Sequence, residues 1–216
     1  MREHPYSKLD LRLPRKELIG HVSEAVEHAR TLGEPVKVYR FGFFRLQFTP
    51  TRLEPGHSLH VWSRDLLDRD EAPHNHNSYM RSRVLLGRIA NQFWKEPITD
   101  EQGPWRPTET ICTDTVCEDR PSDYRASLEL ESEQVYGPNQ LNGDYYEMPR
   151  GSLHSSEFDD GTVTLIHKAD IDPAAPIINL LPHDQPPRLQ AFDITSFPQD
   201  IAWSAVDDAV RRLQAS

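Results

Sequence analysis

The sequence predicts a mainly β domain, a double-sheet jelly roll with one helix at each end, and three observations carry that reading. Between two amphipathic segments nearly every stretch reads as a short strand with Pro or Gly at its joints. About eight such strands can be traced, the strand number of a jelly roll. The chain of 216 residues, 37% hydrophobic and 27% charged, suits one compact domain with peripheral additions.

Between Lys16 and Leu32, the apolar residues Leu18, Ile19, Val22, Ala25, Val26, Ala29 and Leu32 recur at helical spacing. Glu17, Glu24, Glu27 and Arg30 occupy the other face, so an amphipathic helix ending at Gly33 is expected. Strands are then expected over residues 36–48, 58–63, 79–94, 109–116, 126–136, 144–148, 162–168 and 177–181. Residues 95–125, rich in Pro, Asp, Glu and Thr, read as a surface excursion near the barrel mouth. Trp203, Val206, Val210 and Leu213 mark a C-terminal helix packed on the outside. We therefore expect a single domain over 1–216, made of an N-terminal helical extension (1–35), a β-barrel (36–182) and a C-terminal tail and helix (183–216).

The formal charge of −10 is uneven: residues 1–50 carry +3 and residues 99–160 carry −11. A nucleic-acid partner is not expected, because such binders need a cationic footprint to displace phosphate counterions. No stretch approaches the ~18 apolar residues of a membrane span, and the first residues lack the apolar run of a secretory signal. The expectation is a cytoplasmic protein with a small-molecule partner. Cys112 and Cys117 are too few for a disulfide framework and read as free thiols, with a local redox pair as the alternative. The apolar residues of 36–48 suit a homodimer interface as well as a covered core strand, and a homodimer is the expectation carried forward.

The chemistry concentrates in two segments. Pro73-His74-Asn75-His76 sets two imidazoles two residues apart, which on a strand aims both at the same side. Far away in sequence, Gly143, Pro149, Gly151 and His154 stand in the order G-x5-P-x-G-x2-H. This second pattern matches the second cupin motif at each fixed position. The first resembles the first cupin motif, H-x-H-x3-4-E-x6-G, through His74, His76 and Gly87, but Met80 stands where its glutamate belongs. The resemblance covers roughly residues 58–168.

That resemblance implies a cupin double-stranded β-helix with one metal ion on His74, His76 and His154. A three-histidine site without the carboxylate resembles the thiol dioxygenases, implying iron(II), Fe(II), with dioxygen and a small anionic thiol or carboxylate as co-substrates. Three imidazoles also suit Zn, Ni, Mn or Cu. The alternatives are therefore a redox-silent isomerase, lyase or hydrolase, or a non-catalytic small-molecule-binding cupin. Glu157 could restore a carboxylate, although strand alternation points it away from His154. Arg81, His167 and Tyr146 flank the ligand strands and are the candidate substrate-contacting residues. An arginine beside a cationic metal can clamp a carboxylate bidentately. His60, between Leu59 and Val61, reads as structural, and Met80 as pocket wall.

Overall fold

Strand alternation and two apolar clusters explain the architecture. The computed structural model describes residues 5–39, 41–48, 55–66, 72–112, 116–184, 192–193 and 197–216, and every strand pairing among them is antiparallel. One sheet runs β1 (Val36–Tyr39), β2 (Phe43–Gln47), β3 (Gly56–Trp62), β13 (Val163–Ala169), β4 (Tyr79–Leu86) and β11 (Tyr145–Met148). A second contains β10 (Leu130–Tyr136), β5 (Ile89–Trp94) and β12 (His154–Phe158). A third runs β15 (Phe192–Asp193), β8 (Val116–Pro121), β7 (Trp105–Cys112), β9 (Ala126–Ser127) and β6 (Ile98–Thr99), with β14 (Ile177–Pro182) on β7. His74 bridges β12 and β14 and so joins the second sheet to the third.

The first sheet is apolar on both faces. Phe44, Leu46, Leu59, Val61 and Leu165 face helices α1 (Arg15–Thr31) and α2 (Gln199–Ala215) in one buried cluster. Phe43, Trp62, Met80, Tyr146, Met148 and Ile166 face the other way, against Ile89, Tyr136 and Phe158 of the second sheet. The result is a helical layer, a sheet and a facing sheet. It is compatible with a β-sandwich, and no closed barrel forms among the described residues. Among the described residues no helix is long and apolar enough to cross a membrane.

The helices follow their periodicity: α1 buries Leu18, Ile19, Val22, Ala25, Val26 and Ala29 and gives way to Gly33 at φ 72°. α2 buries Ala202, Val206, Ala209 and Leu213, while Trp203 and Val210 lie at the edge of its buried stripe. Other expectations need correction. Residues 36–48 break into two strands around a turn at Gly42, and 79–94 break at Gly87. Gly87 has φ +77°, a left-handed conformation that ends the strand, and a Cβ there would stand 2.4 Å from Thr162 Oγ1, so the turn requires glycine. The supposed surface excursion over 95–125 holds β6, β7 and β8: β7 pairs with β8, β9 and β14, and β6 pairs with β9. Val36, Phe44, Leu46 and Phe48 are covered within the chain. Cys112 and Cys117 are opposite each other in the β7–β8 register, but their thiols lie outside the described residues.

Candidate metal centre

Backbone pairing brings the three histidines together. His74 and His154 exchange both backbone hydrogen bonds at 2.8 Å. On its other side the segment is held by Leu180 N–H donating to Pro73 O (2.8 Å) and Asn75 N–H to Ile178 O (3.0 Å). Ile178 N–H also donates to Asn75 Oδ1 at 2.7 Å, so the residue between the histidines locks their segment in place. His74 is thus an isolated bridge rather than part of a regular strand, unlike the simple strand expected for this segment. The G-x5-P-x-G-x2-H pattern also has a local reason. Gly151 takes φ +80°, and its N–H donates to His76 O at 3.0 Å, tying the turn before His154 to the other ligand segment.

One ring nitrogen from each of His74, His76 and His154 lies within 4.8 Å of the others, an arrangement that can hold a metal ion. The tautomers suit that task. Nδ1–H of His74 donates to Ala72 O at 3.2 Å and Nδ1–H of His154 to Ser152 O at 3.3 Å. Both rings therefore present an unprotonated Nε2, and the backbone carbonyls fix their orientation. Burial, reinforced by the other two imidazoles, holds His76 well below the ordinary histidine range, and burial takes His154 down to about 4. His76 and His154 are consequently neutral near pH 7 and have lone pairs to offer. Phe41 stacks on His74 with ring centroids 4.0 Å apart and forms an apolar wall.

Glu157 is exposed and does not belong to the group, as strand parity from His154 requires. Met80 is buried beside Tyr146 and Met148.

The three candidate substrate-contacting residues separate by parity. Tyr146 faces the interior between the sheets, stacked near Tyr136 at 4.7 Å, with its hydroxyl toward Ser82 and Asn91. Burial raises its pKa, so it stays a protonated donor. Arg81 and His167 are opposite each other in register but face outward, on the side of Leu165. Arg81 pairs with Glu147 at 3.5 Å, and His167 lies against His57 with centroids 4.5 Å apart. The structure does not bring either to the histidine group. Each sits an odd number of residues from the inward-facing Met80 and Ile166.

Two interior residues carry weight that the sequence does not show: Arg45 attracts no reading there, and His60 reads only as structural. Arg45 of β2 is only 5% exposed; its Nη1–H donates to Tyr39 Oη at 2.8 Å, while its buried Nε has no partner. No carboxylate pairs with it among the described residues. Opposite it on β3 is His60, equally buried, stacked on Phe43 at 4.2 Å, with Nε2 3.1 Å from Ser58 Oγ and Nδ1 unpaired. Burial and the Arg45 charge push His60 well below its ordinary pKa, and His60 in turn is among the groups acting on His76. The available signal was a single Arg interrupting the run Phe43-Phe44-Arg45-Leu46 at an inward position. No family model and no curated protein matches the chain.

Proposed function

We propose that the chain is a cupin-like mononuclear metalloenzyme, an iron(II) dioxygenase acting on a small anionic substrate. The observation that carries this reading is a three-histidine group without a carboxylate, on the side of the sheet where an arginine is buried without a carboxylate partner among the described residues. His74, His76 and His154 would hold the ion, and neutral ligands leave its full positive charge available to an anion. When bound, iron(II) would supply dioxygen activation once an anionic substrate is in place.

The chain's own residues have separable tasks. Arg45 offers its unpaired Nε–H to a carboxylate or comparable anion, satisfying a buried donor that otherwise carries a desolvation cost. His60 stays neutral beside it and offers a hydrogen bond without adding charge. Phe41, Phe43 and Phe93 exclude water along the apolar walls. Tyr146 keeps its proton and can donate from the far side of the interior.

The test is metal analysis of protein purified without chelator, then anaerobic loading with iron(II) and oxygen-uptake assays over small thiols, amino acids and carboxylates. One iron per chain with substrate-dependent uptake is expected. Retention of zinc or nickel with no uptake in any assay would overturn the oxygenase reading in favour of a Lewis-acid enzyme or a binding protein. Loss of a histidine ligand should weaken metal binding beyond the roughly 10- to 100-fold typical of a supporting residue.

A further inference from the structure

On the outer face of the first sheet, away from the three-histidine group, lies a cavity of about 270 Å3 whose lining includes His57, His167, Asp10, Arg12, Arg81 and Glu147. We infer that this cavity is a second transition-metal site, with His57 and His167 as its two imidazole ligands. The residues are directly opposite each other on β3 and β13, so the register aims both side chains at the same face. Their ring centroids are 4.5 Å apart, the same separation as His74 and His154 in the three-histidine group. Neither ring makes a hydrogen bond among the described residues, although both line an opening rather than pack into the core.

The lining argues for a cation rather than an anion. Each arginine already faces a carboxylate: Arg12 Nε lies 3.4 Å from Asp10 and Arg81 Nε 3.5 Å from Glu147. Glu147 is held in place by hydrogen bonds from Tyr79 and Tyr145, and with both arginines paired to carboxylates the lining has no net positive charge to attract an anion. Two imidazoles at this separation can instead share one borderline divalent ion at about 2.0–2.1 Å from a nitrogen of each. Asp10 lines the same cavity but is paired with Arg12, so water would complete the shell around the two imidazoles.

This inference stands apart from the proposed oxygenase and is tested with the metal-free full chain, dialysed against cobalt(II) or zinc(II) in a non-coordinating buffer. Wild type is expected to hold two ions, His57→Gln and His167→Gln one each, His154→Gln one, and the His57→Gln/His154→Gln double variant none. Thermal melts of the metal-free variants control for folding. A single ion in wild type that persists in both His57→Gln and His167→Gln would overturn the outer site. A second ion that survives both substitutions would do so too, by placing it elsewhere. A single ion that is lost in His57→Gln and kept in His154→Gln would uphold the outer site while removing the inner one.

Discussion

The two faces of the first sheet are built from the same strands yet hold their charged groups in opposite ways. Facing inward, Arg45 is 5% exposed and has no carboxylate partner among the described residues; facing outward, the Arg81 side chain is 45% exposed and paired with Glu147. His60 is buried against Phe43 on one face, while its neighbours in the strand turn His57 toward a cavity on the other. An outward pair is compensated and hydrated, so it changes little in either stability or binding. An inward cation without a counterion is a standing cost, which an anion bound beside it would offset. The comparison teaches that strand parity, more than closeness in sequence to the histidines, decides which groups share a face with the three-histidine group.

The contrast is sharpest for Arg45→Met, which keeps the aliphatic stem and removes the charge. Unfolding free energy should hold or rise, by up to about 4 kcal/mol, because a desolvated charge is replaced by an apolar group of similar volume. On the proposed oxygenase reading, affinity for an anionic substrate should fall. A hydrogen bond to a charged group is worth roughly 1.5–3 kcal/mol, which corresponds to a KM increase on the order of 10- to 100-fold. Urea unfolding and substrate titration of the same preparation read the two effects. A less stable protein with unchanged KM would make Arg45 a structural residue.

His60 gives a pH signature of intermediate size. Its folded pKa lies well below 6.5, so in the metal-free chain the unfolded state takes up a proton that the folded state refuses. The associated stability is fully present above about pH 6.5 and is lost as pH falls toward the folded value, at up to about 1.4 kcal/mol per pH unit. His60→Leu should flatten the plot of unfolding free energy against pH between about 6.5 and 5. Arg45→Met should flatten it less, since the Arg45 charge is the lesser of the two leading causes, after burial. Parallel plots for wild type and His60→Leu would remove His60 from the buried, uncharged set.

The three histidines could be read in the sequence because their spacing is local and tied to turn glycines: Gly151 at φ +80° is a backbone requirement that leaves a mark in composition. The helices were similarly open to reading, their periodicity set by burial on one side. What escaped depends on non-local pairing. The strand β12, His-Ser-Ser-Glu-Phe, has no strand-like composition and is a strand because β5 lies beside it. β7 and β8 are polar and stabilised by each other and by β14. Arg81 and His167 seemed to flank the ligands because they are near them along the chain, yet one residue of parity turns them to the opposite face. Arg45 lies far from the motif in sequence, and only the β2–β3 register sets it beside His60, whose single imidazole in an apolar strand reads as structural.

The smallest expected effect belongs to Arg81→Met, and its smallness is the point. The guanidinium is exposed, its ion pair spans 3.5 Å, and Glu147 retains Tyr79 and Tyr145 as donors once Arg81 is gone. No buried group is left unsatisfied, so stability should change by no more than about 1 kcal/mol and less at high salt. Metal content at the three-histidine group and the KM for an anionic substrate should be unchanged, in direct contrast to Arg45→Met. Parallel oxygen-uptake titrations of the two variants provide the check. If Arg81→Met instead raised KM tenfold at full metal content while Arg45→Met did not, the functional faces would be reversed. Substrate would then be recognised from the outer side of the sheet, and the buried charge of Arg45 would need another cause.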